Sequence, residues 1–223
     1  MIITTRRGLT GMSKVTNHTG VSLDGFAAGP NQSPDDPIGV GGMRLHEWAL
    51  ATAGWREAHG QEGGERSADS EIAERMMDGI GAFIMGRRMF GVGDGHWDES
   101  WRGWWGDDPP YHAPVFVLSH HEREPLPMEG GTTFTFVTGG IESALEQARA
   151  AAGGQDVSIA GGASTVAQYL RAGLLDELYL HVVPLLLGSG ERLLDNTGDA
   201  TFEPVEVVAS PTVTHIRYRV VRD

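Results

Sequence analysis

Residues Val157 to Ala172 read VSIAGGASTVAQYLRA, and this stretch decides the fold. It opens on a short apolar run, Val157-Ser158-Ile159-Ala160, and breaks at Gly161-Gly162. Apolar positions then recur at Val166, Tyr169 and Leu170, the i, i+3, i+4 spacing of a helix face. Gly173 stands just past them, where glycine closes helices. A strand, a glycine bend and a helix form one half of an α/β crossover. Without Cβ atoms, Gly161 and Gly162 let a ligand approach the main chain. The new helix offers unpaired N–H groups and a positive dipole end there. Ala163, Ser164 and Thr165 form its first turn, with two hydroxyl donors. The spot is read as an anion site suited to phosphate. The alternative is a tight connection that binds nothing.

Around this unit, 223 residues are read as a single domain at 14–223 behind an N-terminal extension at 1–13. A net charge of −13 argues against nucleic-acid or anionic-membrane partners. The absence of cysteine removes disulfides, thiolate metal sites and thiol nucleophiles together. No apolar run approaches the roughly 18 residues of a membrane span. The N-terminus lacks a secretion-signal core, so a cytoplasmic protein is expected.

In chain order, Lys14–Leu23 reads as a first strand closed by a turn at Asp24-Gly25. Residues 29–67 read as a long loop insertion around one short helix, Met43–Thr52. Asp69–Asp78 reads as a helix capped by Asp69 or Ser70. Ile80–Met85, Pro114–Leu118 and Thr133–Val137 read as strands, and Ile141–Ala152 as an amphipathic helix. Leu178–Val183 is a strand, and segments near Val205–Ala209 and Thr212–Val221 form an antiparallel pair. Alternating helices and strands followed by strands alone predict an α/β fold. Its central sheet is mostly parallel, with antiparallel C-terminal edge strands and flanking helices.

Ligands in such sheets bind beyond the C-terminal ends of strands. Three strand ends suit one extended phosphate ligand: Gly161-Gly162, Gly86 with Arg87-Arg88, and Ser119-His120-His121 with Arg123. Arginine matches phosphate with a planar, permanently charged fork. No acidic residue stands at these ends to take a bare ribose, which favours a 2′-phosphorylated dinucleotide, NADPH. Arg87 and Arg88 read equally as solvated cations, and His120 and His121 as a surface loop. No GxGxxG opens a strand-turn-helix, and the P-loop and GxSxG spacings are absent. His46, His59, His96, His112, His181 and His215 are scattered without a ligand spacing, so no metal site is assigned.

The ordered set VSLDG, FIMGRRMF, VFVLS, VSIAGGAST and GLLDELYLHVVPLLLGSGERLL resembles the dihydrofolate reductase-like superfamily. The likeness is strongest to the reductase domain of riboflavin-biosynthesis deaminase-reductases and its stand-alone relatives, over about Lys14–Asp223 less the 29–67 segment. The resemblance implies an eight-stranded, mostly parallel sheet with flanking helices and an NADPH groove across its strand ends. It places Leu23 near the nicotinamide, and Gly86 and Arg87 at the adenosine-side phosphates. Ser119 and His120 would border the 2′-phosphate, and Gly161, Gly162, Ala163, Ser164 and Thr165 would hold the pyrophosphate. Met89 stands where many members carry a threonine. Without cysteine, no zinc-dependent deaminase half is expected within these residues.

Hydride transfer to a C=N or C=O bond needs a positioned donor carbon and a proton source. By the resemblance, a carboxylate on the helix before Gly86 supplies the proton, and Asp69 stands nearest that spacing, ahead of Glu71 and Glu74. Each of these acids reads more readily as a helix-capping or dipole-paired residue. Asp24 and Phe26 are candidates for orienting substrate, against a plain Asp-Gly turn. Trp97, Trp101, Trp104 and Trp105 read as packing residues more than as a stacking platform. The expectation is an NADPH-dependent reductase of a small, pterin-like or pyrimidinone-like heterocycle, with a homodimer plausible. The alternative is a ligand-binding protein that keeps the fold without catalysis.

Overall fold

A computed structural model describes residues 13–58, 61–91, 93 and 95–221. The extension at 1–13 lies outside them except for Ser13, as does His59. The chain begins with β1 (Val15–Ser22) and β2 (Phe26–Ala28). A 3-10 turn (Gly42–Leu45) leads to α1 (Glu47–Leu50), α2 (Ala53–Ala58) and α3 (Ala68–Arg75). Next come β3 (Ile80–Gly86), α4 (Arg87–Phe90), β4 (Pro114–Leu118), β5 (Leu126–Pro127) and β6 (Thr133–Val137). The chain then forms α5 (Gly140–Ala151), β7 (Asp156–Gly161), α6 (Ala163–Arg171) and β8 (Glu177–Val183). It ends in β9 (Glu191–Arg192), β10 (Thr201–Ala209) and β11 (Thr214–Val221).

Among the described residues nine strands, one more than the resemblance implies, form one sheet in the order β10-β11-β8-β1-β7-β3-β4-β6-β5. β8, β1, β7, β3, β4 and β6 run parallel. β11, β10 and β5 are antiparallel to their neighbours. Buried parallel strands are apolar on both sides, and Ala82, Phe83, Ile84 and Met85 of β3 are all at most 3% exposed. One sheet face packs on α5 and α6, where Ala144, Leu145, Val166 and Tyr169 join Val15, Ile84 and Ile159. The Tyr169 hydroxyl donates to Ile141 O at 2.7 Å and ties the two helices together.

The opposite face is covered in two pieces. Over β3, β4 and β6, the tryptophan-rich loop meets Phe83, Phe90 and Phe134. Trp97 donates to His121 O, and Trp101 to Phe90 O. Arg123, expected at the phosphate site, is buried under this loop instead, donating to Trp101 O at 2.6 Å and pairing with Glu99. Over β8 and β11, Leu45 and Trp48 pack against Val183 and Val213.

Part of the 29–67 segment is therefore a cap on the sheet rather than a loop throughout. Its helices are four and six residues long, too short to show a helical repeat in sequence. Packing on the sheet supplies their stability. The α3 cap also differs from expectation. Ser67 is the N-cap, its N–H donates to Ser70 Oγ at 3.1 Å, and Asp69 is free of capping duty. Among the described residues no helix is long and apolar enough to cross a membrane.

Candidate functional site

Parallel registers set three strand ends side by side. Gly86 pairs with Leu118, and Met85 with Gly161, so the loops after β3, β4 and β7 emerge along one edge. The end of β1 joins them, because β1 lies beside β7. Gly86–Arg88, Ser119–His120, Gly161–Thr165 and Leu23 are thus brought together from four separate stretches of sequence.

The helix α6 starts at this edge. Gly162 is its N-cap, in extended backbone with φ −76°. It is exposed, and a Cβ added there would meet nothing within 4 Å. Gly161 has φ +141°, a region that favours glycine, and its peptide bond to Gly162 is cis. Thr165 N and Val166 N donate to Gly162 O at 3.0 and 3.2 Å, which leaves the N–H groups of Ala163 and the exposed Ser164 without an acceptor in the helix. Thr165 departs from the expected role. It is 3% exposed, and a side chain at Gly86 would collide with its hydroxyl. Close approach of α6 to β3 is therefore one reason for glycine at 86.

The other expected ligands divide. Leu23 is 62% exposed beyond the end of β1. Arg88 lines a cleft of about 400 Å³ with Pro30, Asn31, Gly93, Gly190 and Glu191. Arg87, expected at a phosphate, turns back onto its own loop. It donates to Gly93 O at 2.7 Å and Gly95 O at 2.8 Å and stacks 3.5 Å from the Trp97 ring centroid. The Ser119 hydroxyl bonds His121 O at 2.8 Å and accepts from His121 N, while His120 is exposed.

Asp24 braces a turn. Its carboxylate accepts from the N–H groups of Leu187 at 3.1 Å and Gly188 at 2.7 Å. The Ser22 hydroxyl and these amides hold its pKa down to about 2. Phe26 is buried at the start of β2 with Arg192 over its ring at 4.9 Å. Both candidates for orienting substrate thus serve the junction between β1, β2 and β9.

Asp69 has a different occupation from the expected proton donor. It is 5% exposed, and its Oδ1 lies 3.1 Å from His215 Nε2. Its Oδ2 accepts from Ser210 and Thr212 hydroxyls, both at 2.9 Å. The carboxylate ties α3 to the turn between β10 and β11.

Residues 13–216 match the family model of the RibD C-terminal domain. The chain belongs to that family. Curated protein sequences give no match to it. Solved structures share the fold of this RibD-type domain at low identity. A candidate riboflavin biosynthesis protein from Shewanella sp. PV-4 is 22% identical with a TM-score of 0.59, over 94% of this chain and 99% of that one. The Thermotoga maritima diaminohydroxyphosphoribosylaminopyrimidine deaminase/5-amino-6-(5-phosphoribosylamino)uracil reductase is 14% identical with a TM-score of 0.55; the match covers 94% of this chain and 57% of that one. Dihydrofolate reductase from Enterococcus faecalis, complexed with NADP(H) and RAB-propyl, is 12% identical with a TM-score of 0.52, over 93% of this chain and 96% of that one.

The RibD-type domain also gathers histidines that look scattered in sequence. His18, His181 and His215 come from β1, β8 and β11 onto one sheet face. His181 Nδ1 lies 2.7 Å from His215 Nδ1, and His18 stacks on Tyr179 at 4.0 Å. Burial pushes all three pKa values down, that of His18 to about 4. Between pH 6.5 and 4 the unfolded chain binds protons that the folded chain refuses. Stability is therefore complete above about pH 6.5 and falls as pH drops through that window. Each buried imidazole contributes up to ~1.4 kcal/mol per pH unit. Thermal melts at stepped pH should show a melting temperature level above pH 7 and falling steeply toward pH 5. A flat profile between pH 7 and pH 5 would contradict neutral, buried histidines.

Proposed function

We propose that this RibD-type domain is an NADPH-dependent oxidoreductase. It would pass hydride to a C=N or C=O bond of a small heterocycle, pterin-like or pyrimidinone-like. The family match supports an oxidoreductase, and the Enterococcus faecalis relative is complexed with NADP(H). The observation that carries the coenzyme reading is the exposed Gly162 at the start of α6, with open space at a helix end whose first two N–H groups lack an acceptor in the helix.

In this reading Gly162, Ala163 and Ser164 hold the pyrophosphate through main-chain donors. Gly86 and Arg88 border the adenosine-side phosphates, and Ser119 and His120 the 2′-phosphate. Leu23 lies against the nicotinamide. The bound coenzyme supplies the hydride; the chain orients it and the acceptor ring. Arg87 acts on the groove indirectly, by holding the loop at Gly93–Trp97.

NADPH at about a hundred times its dissociation constant should stabilise the fold by about 2.7 kcal/mol. For a chain of this size the melting temperature should rise by roughly 5–10 °C. NADH at the same concentration should do less. No rise with either nucleotide would remove the coenzyme reading. A rise without consumption of NADPH across pterin and pyrimidinone substrates would favour a binding protein.

A further inference from the structure

A polar ladder crosses the sheet face beneath α1 and α3. Gly20 lies beside His181, and His181 beside His215. Two residues along the same strands, His18 lies beside Tyr179, and Tyr179 beside Arg217. Paired residues on neighbouring strands project to the same side, so these side chains share a face. Between them and Ile72, Arg75 and Met76 lies a cleft of about 160 Å³.

Among the described residues, four buried polar atoms of side chains lining this cleft have no hydrogen-bond partner: Thr16 Oγ1, His18 Nδ1, His181 Nε2 and Arg217 Nε, the last 3.7 Å from the Glu206 carboxylate. Thr16 is 4% exposed and His181 1%. Buried polar groups are normally satisfied, so the three of these that belong to no ion pair point to a partner from outside the chain.

The direction of the ladder's protons follows from Asp69. Its carboxylate receives two hydroxyls on Oδ2 and the His215 ring on Oδ1, and acts as acceptor to all three. His215 Nε2 therefore carries a proton. Burial shifts His215 toward its neutral form, against the pull of Asp69, and in that form Nδ1 is a lone pair. His181 Nδ1, 2.7 Å away, must donate to it. The remaining nitrogen, His181 Nε2, is then a buried lone pair of a residue that lines the cleft. Tyr179 and His18, stacked within 15° of parallel, give the wall a flat aromatic side.

We propose that this cleft binds an uncharged, flat ring bearing an N–H or O–H donor, which His181 Nε2 accepts, and that Asp69 acts through His215 as a positioning residue. Thr16 Oγ1 would complement an acceptor next to that donor. The cleft lining sets Arg75 and Arg217 against Asp78, Asp156 and Glu206 around the imidazoles, a mixed field that suits a ligand without net charge, and the small volume admits a single ring. The site lies on the sheet face, apart from the strand-end groove, and needs no coenzyme.

Pyrazole and 1-methylpyrazole test this as a matched pair, since they differ in the N–H donor. Titrated into the full chain without nucleotide, pyrazole should bind with a dissociation constant on the order of 1–10 mM, as suits so small a ring. It should move the side-chain nitrogen signal of His181. The methylated ring should bind at least about tenfold more weakly, the loss of one hydrogen bond. In the ligand-free chain, nitrogen chemical shifts should report His181 protonated at Nδ1 and His215 at Nε2. His181→Phe, checked for folding by circular dichroism, should lose pyrazole binding. Equal affinity for the two rings, no pyrazole binding, or His181 protonated at Nε2 would each overturn the proposal. The tautomer and matched-pair measurements use the wild-type chain, so the test survives a variant that fails to fold.

Discussion

Gly162→Asp should abolish NADPH binding and leave the melting temperature unchanged or slightly higher. Gly162 is the N-cap of α6, its backbone is extended, and the space around its missing side chain is open. Aspartate is among the preferred N-cap residues and accepts from first-turn N–H groups, so the free fold tolerates or gains from it. The same carboxylate occupies the donors offered to a diphosphate and sets a negative charge against it. Affinity should fall by at least about a hundredfold, or roughly 2.7 kcal/mol. Gly162→Ala separates the two causes: it adds bulk without charge, keeps the fold and weakens NADPH less. Calorimetric titration of both variants beside thermal melts would decide the matter. Wild-type affinity in Gly162→Asp would refute the placement of the pyrophosphate, while a collapsed melting temperature would show that the glycine is structural.

The second large effect belongs to stability. Asp69→Ala should lower the melting temperature by roughly 6–20 °C. The substitution strands His215 Nε2 and two hydroxyls, all within 3.1 Å of a carboxylate that is 5% exposed. Removing one member of such a buried cluster costs about 3–5 kcal/mol, and each kcal/mol is worth about 2–4 °C in a chain of this length. Asp69→Asn keeps the shape and an acceptor oxygen, so it should cost much less. An ordinary dipole-paired acid at a helix start is worth about 0.3–1 kcal/mol. A loss below about 4 °C in Asp69→Ala would therefore reduce the residue to that lesser role.

The strands and long helices were legible because their signals are local. β3, β4 and β6 are short apolar runs between breakers, and α5 and α6 carry a helical repeat over nine or more residues. The glycine bend between β7 and α6 was legible as well, because Gly161 has a positive φ and Gly162 is the N-cap that follows it. Residues whose role depends on a partner far along the chain were read less well. Nothing near Arg87 or Arg123 signals that a tryptophan-rich loop folds back to claim their guanidinium groups. The 29–67 segment hid its helices because four- and six-residue pieces are held by packing on the sheet, not by their own sequence.

By itself, the amino-acid sequence determined the alternation of strands and helices, the parallel sheet that follows from it, and the glycine-bounded start of α6. Those depend on periodicity and on backbone conformations set within a few residues. Only the tertiary structure decided which strands are neighbours, and so placed His18, His181 and His215 on one face with Asp69 behind them. These residues lie up to 197 positions apart by numbering, since 215 − 18 = 197. Strand order and register are settled by burial of the whole sheet, which no local pattern records.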